Sequence, residues 1–231
     1  MIGLLVLAAA SFVLFRLLGG APRLRMRRHQ PAQAAAAKIK ELTEYAARLE
    51  ATNKYTAAEK VYLQILKIDH RHAATYSRLG SLYAAQKNAT DAIECFQIAT
   101  QLAPSGHTFY NLGLAYYENR NAMKAVAAFE KAIMFEPSVQ RYVGLAKAFN
   151  RLHDGEQMIR ALEQASELNP SPKVLWLLAD ASAAAGRVDE LPALHQRIRA
   201  LDPKDARLRA LRGAPLATAS TGSTKLDKTS S

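Results

Sequence analysis

Six histidines and one cysteine are the side chains in this sequence best equipped to attack a substrate or ligate a metal, and their spacing decides whether they do. A cysteine nucleophile needs a neighbouring base or cation to draw off its proton. Cys95 instead lies between Glu94 and Phe96 in a helical pattern, and reads as a small buried apolar residue. With no second cysteine, no internal disulfide forms. His70 and His72 make an H-x-H pair, but two residues apart at a helix end they point to different faces, and no third ligand is near in sequence. His107, His153 and His195 have no nucleophile beside them. No glycine-rich phosphate loop, G-x-S-x-G or paired-carboxylate motif occurs. No catalytic, cofactor-binding or metal-binding residue is therefore expected, and the chain does not read as an enzyme.

Aromatic side chains offer the other chemistry, that of recognition. The stretch YNLGLAYY, Tyr110 to Tyr117, carries two stripes when wound as a helix. Phe109, Leu112, Gly113 and Tyr116 share one face, while Tyr110, Leu114 and Tyr117 lie about 110° around the same helix. One stripe serves a core. The second is free to serve a partner.

The elements that would position these stripes recur along the chain. Pro104, Pro137, Pro170 and Pro203 step by 33 residues, as do Phe96, Phe129 and Leu162, and Gly80 and Gly113. The first repeat is one residue longer, since Ala58 to Ala92 and Tyr62 to Phe96 each step by 34. A period of this length with two helices per repeat signals stacked helical hairpins, each burying too little surface to stand alone. Repeat three reads Phe109, Leu112, Gly113, Tyr116, Ala125, Phe129, Pro137, and repeat two reads Tyr76, Leu79, Gly80, Tyr83, Ala92, Phe96, Pro104. Repeat four keeps Tyr142, Leu145, Ala146, Phe149 and Pro170 but places Met158 and Leu162 on its second helix. Repeat five keeps Leu175, Leu178, Ala179 and Pro203, with Ser182 and His195 where aromatics are expected. Repeat one keeps Leu42, Ala58 and Tyr62 and has His70 in place of the closing proline.

This pattern resembles that of the tetratricopeptide-repeat (TPR) family. The resemblance covers residues 39–204, divided as 39–72, 73–105, 106–138, 139–171 and 172–204, followed by a capping helix at 205–213 and a polar, aperiodic tail at 214–231. It implies an all-α, right-handed superhelical solenoid of about five helix pairs, whose first helices line a concave groove. Positions equivalent to Tyr110 read Ser77, Tyr110, Val143 and Trp176; those equivalent to Leu114 read Ser81, Leu114, Lys147 and Asp180; those equivalent to Tyr117 read Ala84, Tyr117, Asn150 and Ala183. Tyr110, Leu114, Tyr117, Val143, Lys147, Asn150, Trp176 and Asp180 are thus expected to form a partner-binding groove. The subclass that clamps a carboxyl-terminal aspartate is not matched. Asn111 stands at one of its positions, but Ser77, Ser81, Gln140 and Gly144 replace the others.

Residues 1–22 are apolar apart from Arg16, long enough to cover a hydrocarbon core of about 30 Å. Arg23, Arg25, Arg27 and Arg28 follow the run rather than precede it, the order of an uncleaved anchor and not of a signal peptide. Residues 23–38 then read as a basic juxtamembrane segment and helical linker. The positive-inside rule places the repeats in the cytoplasm, behind a single-pass anchor in a bacterial inner membrane. The net charge of +11 is concentrated at the ends, for residues 73–171 carry nine basic and nine acidic side chains. A neutral middle argues against nucleic acid as a partner. The layout is similar to that of the lipopolysaccharide assembly protein B family, without the paired cysteines of its rubredoxin-like domain. The expected function is a membrane-anchored, non-enzymatic scaffold that binds a protein or peptide. The alternatives are a regulatory subunit of an envelope-assembly enzyme or protease, of the lipopolysaccharide or cytochrome c assembly type, or a periplasmic chaperone if the topology is reversed.

Overall fold

A computed structural model describes residues 32–213. The expected anchor, the arginine cluster and the polar tail lie outside the described residues. Among the described residues, no helix is long and apolar enough to cross a membrane. No strand occurs among them either. The helices are α1 (32–51), α2 (Tyr55–Ile68), α3 (Ala73–Ala85), α4 (Ala89–Leu102), α5 (Gly106–Glu118), α6 (Ala122–Phe135), α7 (Val139–Arg151), α8 (Gly155–Leu168), α9 (Pro172–Ala184), α10 (Leu191–Leu201) and α11 (Ala206–Gly213). A single 3-10 turn, Val188–Glu190, precedes α10. The chain divides into two compact halves after Pro137. In the N-terminal half α3 packs on α4 and α5 on α6; in the C-terminal half α7 packs on α8 and α9 on α10.

Helices α4 to α9 each start where the sequence supplies a side-chain cap. Ser105, Ser138 and Ser171 accept the backbone N–H three residues on at the starts of α5, α7 and α9. Asn88, Asn121 and Asp154 do the same for α4, α6 and α8. Such caps satisfy donors that a helix start otherwise leaves unpaired, each worth about 1 kcal/mol. Between the two helices of every repeat one residue adopts positive φ: Asn53, Lys87, Arg120, His153 and Gly186. Only the last is glycine, the residue that occupies this region without steric cost.

The turns between repeats come in two lengths. Ala103 to Ser105, Glu136 to Ser138 and Asn169 to Ser171 each place one proline between the end of one helix and the cap of the next. Asp69 to His72 and Asp202 to Asp205 hold two residues there, and in both the leading aspartate accepts a backbone N–H two residues on, at 3.0 Å. The extra residue of repeat one therefore sits in its exit turn, which is why its helix positions step by 34 while the following ones step by 33.

The repeated glycines are explained by contact. A Cβ at Gly113 would lie 2.7 Å from the ring of Phe129, and one at Gly80 would lie 2.8 Å from the ring of Phe96. Hydrogen at these positions lets the first helix rest against the aromatic of the second, and both phenylalanines are buried. Ala58, Ala92, Ala125, Ala132 and Ala165 are likewise buried, keeping the hairpins close.

Candidate functional site

The first helices of repeats two and three, α3 and α5, border a trough of about 750 Å³. Ser81, Ala84 and Ala85 form its α3 wall, Asn111, Leu114, Ala115 and Glu118 its α5 wall, and Phe96 of α4 reaches its floor. Leu114 is 37 % exposed there. Lys87, Ala89 and Ala92 complete the lining, so opposite charges, Lys87 and Glu118, stand beside an apolar centre. A second hollow of about 390 Å³ continues toward the starts of the same helices and shares Ser81 and Asn111. Ser81 Oγ donates to the Ser77 carbonyl at 3.0 Å, and the Asn111 amide meets His107 Nε2 at 3.1 Å.

Of the expected groove residues, Leu114 lines this trough, together with Ser81 and Ala84 at positions equivalent to Leu114 and Tyr117. Tyr110 and Trp176 are placed otherwise. The ring of Tyr110 packs on the core ring of Phe129, centroids 5.6 Å apart, and Trp176 packs on His195 in the same way at 5.3 Å. Trp176 is only 8 % exposed, and Arg207 of α11 covers its face at 4.0 Å. The indole N–H donates to Asp205 at 3.0 Å, while Arg207 pairs with Asp180 at 2.7 Å. Trp176 and Asp180, expected in the groove, both meet α11 through Asp205 and Arg207. Tyr117 and Val143 are half-buried, and Lys147 and Asn150 are exposed. Tyr116 sits half-buried against the core as its stripe predicts, its hydroxyl accepting from Gln97 at 2.7 Å.

The residues singled out for reactive chemistry are placed in structural roles. Cys95 is half-buried, and burial, with Asp91, Glu94 and Glu59 adding their charge, pushes its thiol up to about 11. It stays protonated at neutral pH and is a poor nucleophile. His72 Nδ1 bonds the Thr75 hydroxyl at 2.8 Å at the start of α3. Among the described residues no three His, Cys, Asp or Glu side chains are grouped to hold a metal ion.

The signal that sequence reasoning passed over was available. Tyr110 to Phe129 and Trp176 to His195 are both ring pairs separated by 19 residues, the distance from a first-helix position to its facing second-helix position. In repeat two the same spacing joins Ser77 to Phe96, and the short serine leaves the space open.

Comparisons with known proteins agree with the repeat pattern. Two tetratricopeptide-repeat family profiles match in succession, over residues 46–107 and 106–138. No curated protein matches the chain, and the likeness of layout to lipopolysaccharide assembly protein B is not supported. Solved structures share the fold. A MamA protein is 20 % identical with a TM-score of 0.66, covering 78 % of this chain and 98 % of its own. Residues 41 to the end of MamA from Desulfovibrio magneticus RS-1 are 16 % identical with a TM-score of 0.62, covering 77 % and 98 %. YrrB, described as a TPR protein with an unusual peptide-binding site, is 15 % identical with a TM-score of 0.62, covering 78 % and 98 %. Identities this low speak for fold alone. With the glycine-to-phenylalanine contacts in place and the two profiles running on from one another, residues 46–138 of the chain carry tetratricopeptide repeats.

Proposed function

We propose that this protein is a non-enzymatic scaffold that binds a peptide segment of another protein in the trough between α3 and α5. The observation that carries the reading is the trough itself, an apolar centre at Leu114 and Phe96 flanked by hydrogen-bonding side chains at Ser81 and Asn111. Apolar surface supplies affinity, and polar groups at its edge set the register of a bound chain. The peptide-binding description of YrrB, which shares the fold, is in keeping with such a use.

A photocrosslinking amino acid placed at Leu114 or Ser81 in the full-length protein tests this in cells. Discrete adducts are expected there and not from exposed positions on second helices such as Glu94 or Glu130. Adducts of equal yield from all four positions, or from none, would end the proposal.

We further propose that the apolar run at residues 1–22 anchors the scaffold in the inner membrane with its repeats in the cytoplasm, a reading supported by the four arginines that follow the run. An alkaline phosphatase fused after residue 231 should be inactive in a bacterial host; an active fusion reverses the topology.

A further inference from the structure

We infer that the trough of repeats two and three takes an extended peptide segment in which an internal aspartate or glutamate side chain adjoins an apolar one. This rests on the peptide-binding reading above. The hollow at the start of α3 and α5 is lined by Ala74, Ser77, Arg78, Ser81, His107 and Asn111. No acid is among them, and Ser77, Arg78 and Asn111 carry hydrogens to donate, while Ser81 gives its own to the Ser77 carbonyl. Arg78 presents a planar guanidinium suited to a carboxylate. Its ion pair with Glu50 is a long one, 3.9 Å, beyond hydrogen-bond length, so the guanidinium keeps hydrogens to donate. Ala74 and His107 belong to the first turns of their helices, whose N-terminal ends add positive potential to the same hollow. A carboxylate entering here meets donors on both walls.

The apolar trough is continuous with this hollow through Ser81 and Asn111. An extended chain advances about 3.3 Å per residue, so neighbouring residues reach the two compartments. A carboxylate displaces the volume of about two waters, roughly 60 Å³. The hollow of about 390 Å³ leaves room for the peptide to run on past it, which favours a side chain over a chain terminus.

The test probes full-length protein with arrayed nonapeptides of Gly and Ser carrying Glu-Leu, Gln-Leu or Lys-Leu at the centre and amidated ends, plus Gln-Leu with a free terminal carboxylate. Glu-Leu peptides are expected to bind about tenfold more tightly than Gln-Leu, the worth of a charge-assisted hydrogen bond. Arg78→Gln should bring that ratio to about one, and Arg78→Lys should restore part of it. Thermal melts check that both variants fold, as an exposed arginine permits. Equal binding of Glu-Leu and Gln-Leu overturns the carboxylate inference and leaves peptide binding standing. Preference for the free terminus alone overturns the internal side chain. Absence of binding by every Leu peptide, or binding untouched when Ser81→Phe fills the trough, overturns both readings together.

Discussion

Repeat two and repeat five place different side chains at the same three first-helix positions, and the difference decides what each surface is for. Ser77, Ser81 and Ala84 on α3 leave space, and a trough with an adjoining hollow opens beside them. Trp176, Asp180 and Ala183 on α9 leave much less. The indole lies against His195, Arg207 covers it, and Asp205 takes its N–H. The two faces share a backbone plan and differ in side-chain volume. In a repeat array, a large side chain at a wall position is a means of closing the wall as readily as a means of holding a partner.

The comparison breaks most visibly at Trp176. Trp176→Ala should cost about 3 to 5 kcal/mol in denaturant unfolding followed by circular dichroism, the range for deleting a core ring, and it also removes the indole that Asp205 and Arg207 contact. A loss under about 1 kcal/mol would return Trp176 to the open surface. Next in size is Gly113→Leu. It should cost about 1 to 3 kcal/mol by driving a side chain into Phe129, and Gly80→Leu should match it against Phe96, because this contact is common to the repeats rather than special to one. Melting curves that leave Gly113→Leu at the parent's stability would deny the close approach.

A smaller stability effect sharpens the contrast from the other side. Ser81→Phe enlarges a residue that faces empty space, so stability should change by no more than about 0.5 kcal/mol while crosslinked adducts at Leu114 disappear. Adducts that persist would show that the trough is not the surface in use, and unfolding of this variant would show that Ser81 does not face open space. The smallest effect concerns pH. The indole N–H of Trp176 is the main cause that holds the Asp205 carboxyl below its ordinary value of 3.8, helped by the backbone N–H groups of Leu208 and Arg207. A depressed carboxylate contributes stability that is complete above its unfolded pKa and is lost as pH falls through the folded one. α11 should therefore loosen only below pH 3.8. Trp176 is the sole tryptophan, so its fluorescence reports the step without labels. An unchanged spectrum through that range would detach Asp205 from the capping role.

How much of this was legible in advance follows from what makes a pattern. Gly113, Phe129 and Pro137 recur because hairpins two and three solve the same packing problem, so the period and the helix pairs were readable from spacing. The trough was not. Reasoning from Tyr110 and Trp176 assumed that large aromatics mark a binding wall, whereas the opening lies where Ser77 and Ser81 are short, and small residues leave no mark of their own in a sequence. Leu114, read from its place on the second helical stripe, borders that opening and is 37 % exposed. Asp205 and Arg207 were legible as part of a polar cap, but their hold on Trp176 depends on a contact 29 residues apart that no local pattern encodes.

The two lengths of inter-repeat turn have a consequence of their own. A single proline between Ala103 and Ser105, or between Asn169 and Ser171, works as a fixed ruler, since its φ is locked and no residue is spare. The turns led by Asp69 and Asp202 are seams, each with slack taken up by an aspartate folded onto its own backbone. Insertions, protease nicks or tags placed at these seams spare the ruled interior, so the array carries its own cutting lines, at the exit from its first hairpin and at the entry to α11.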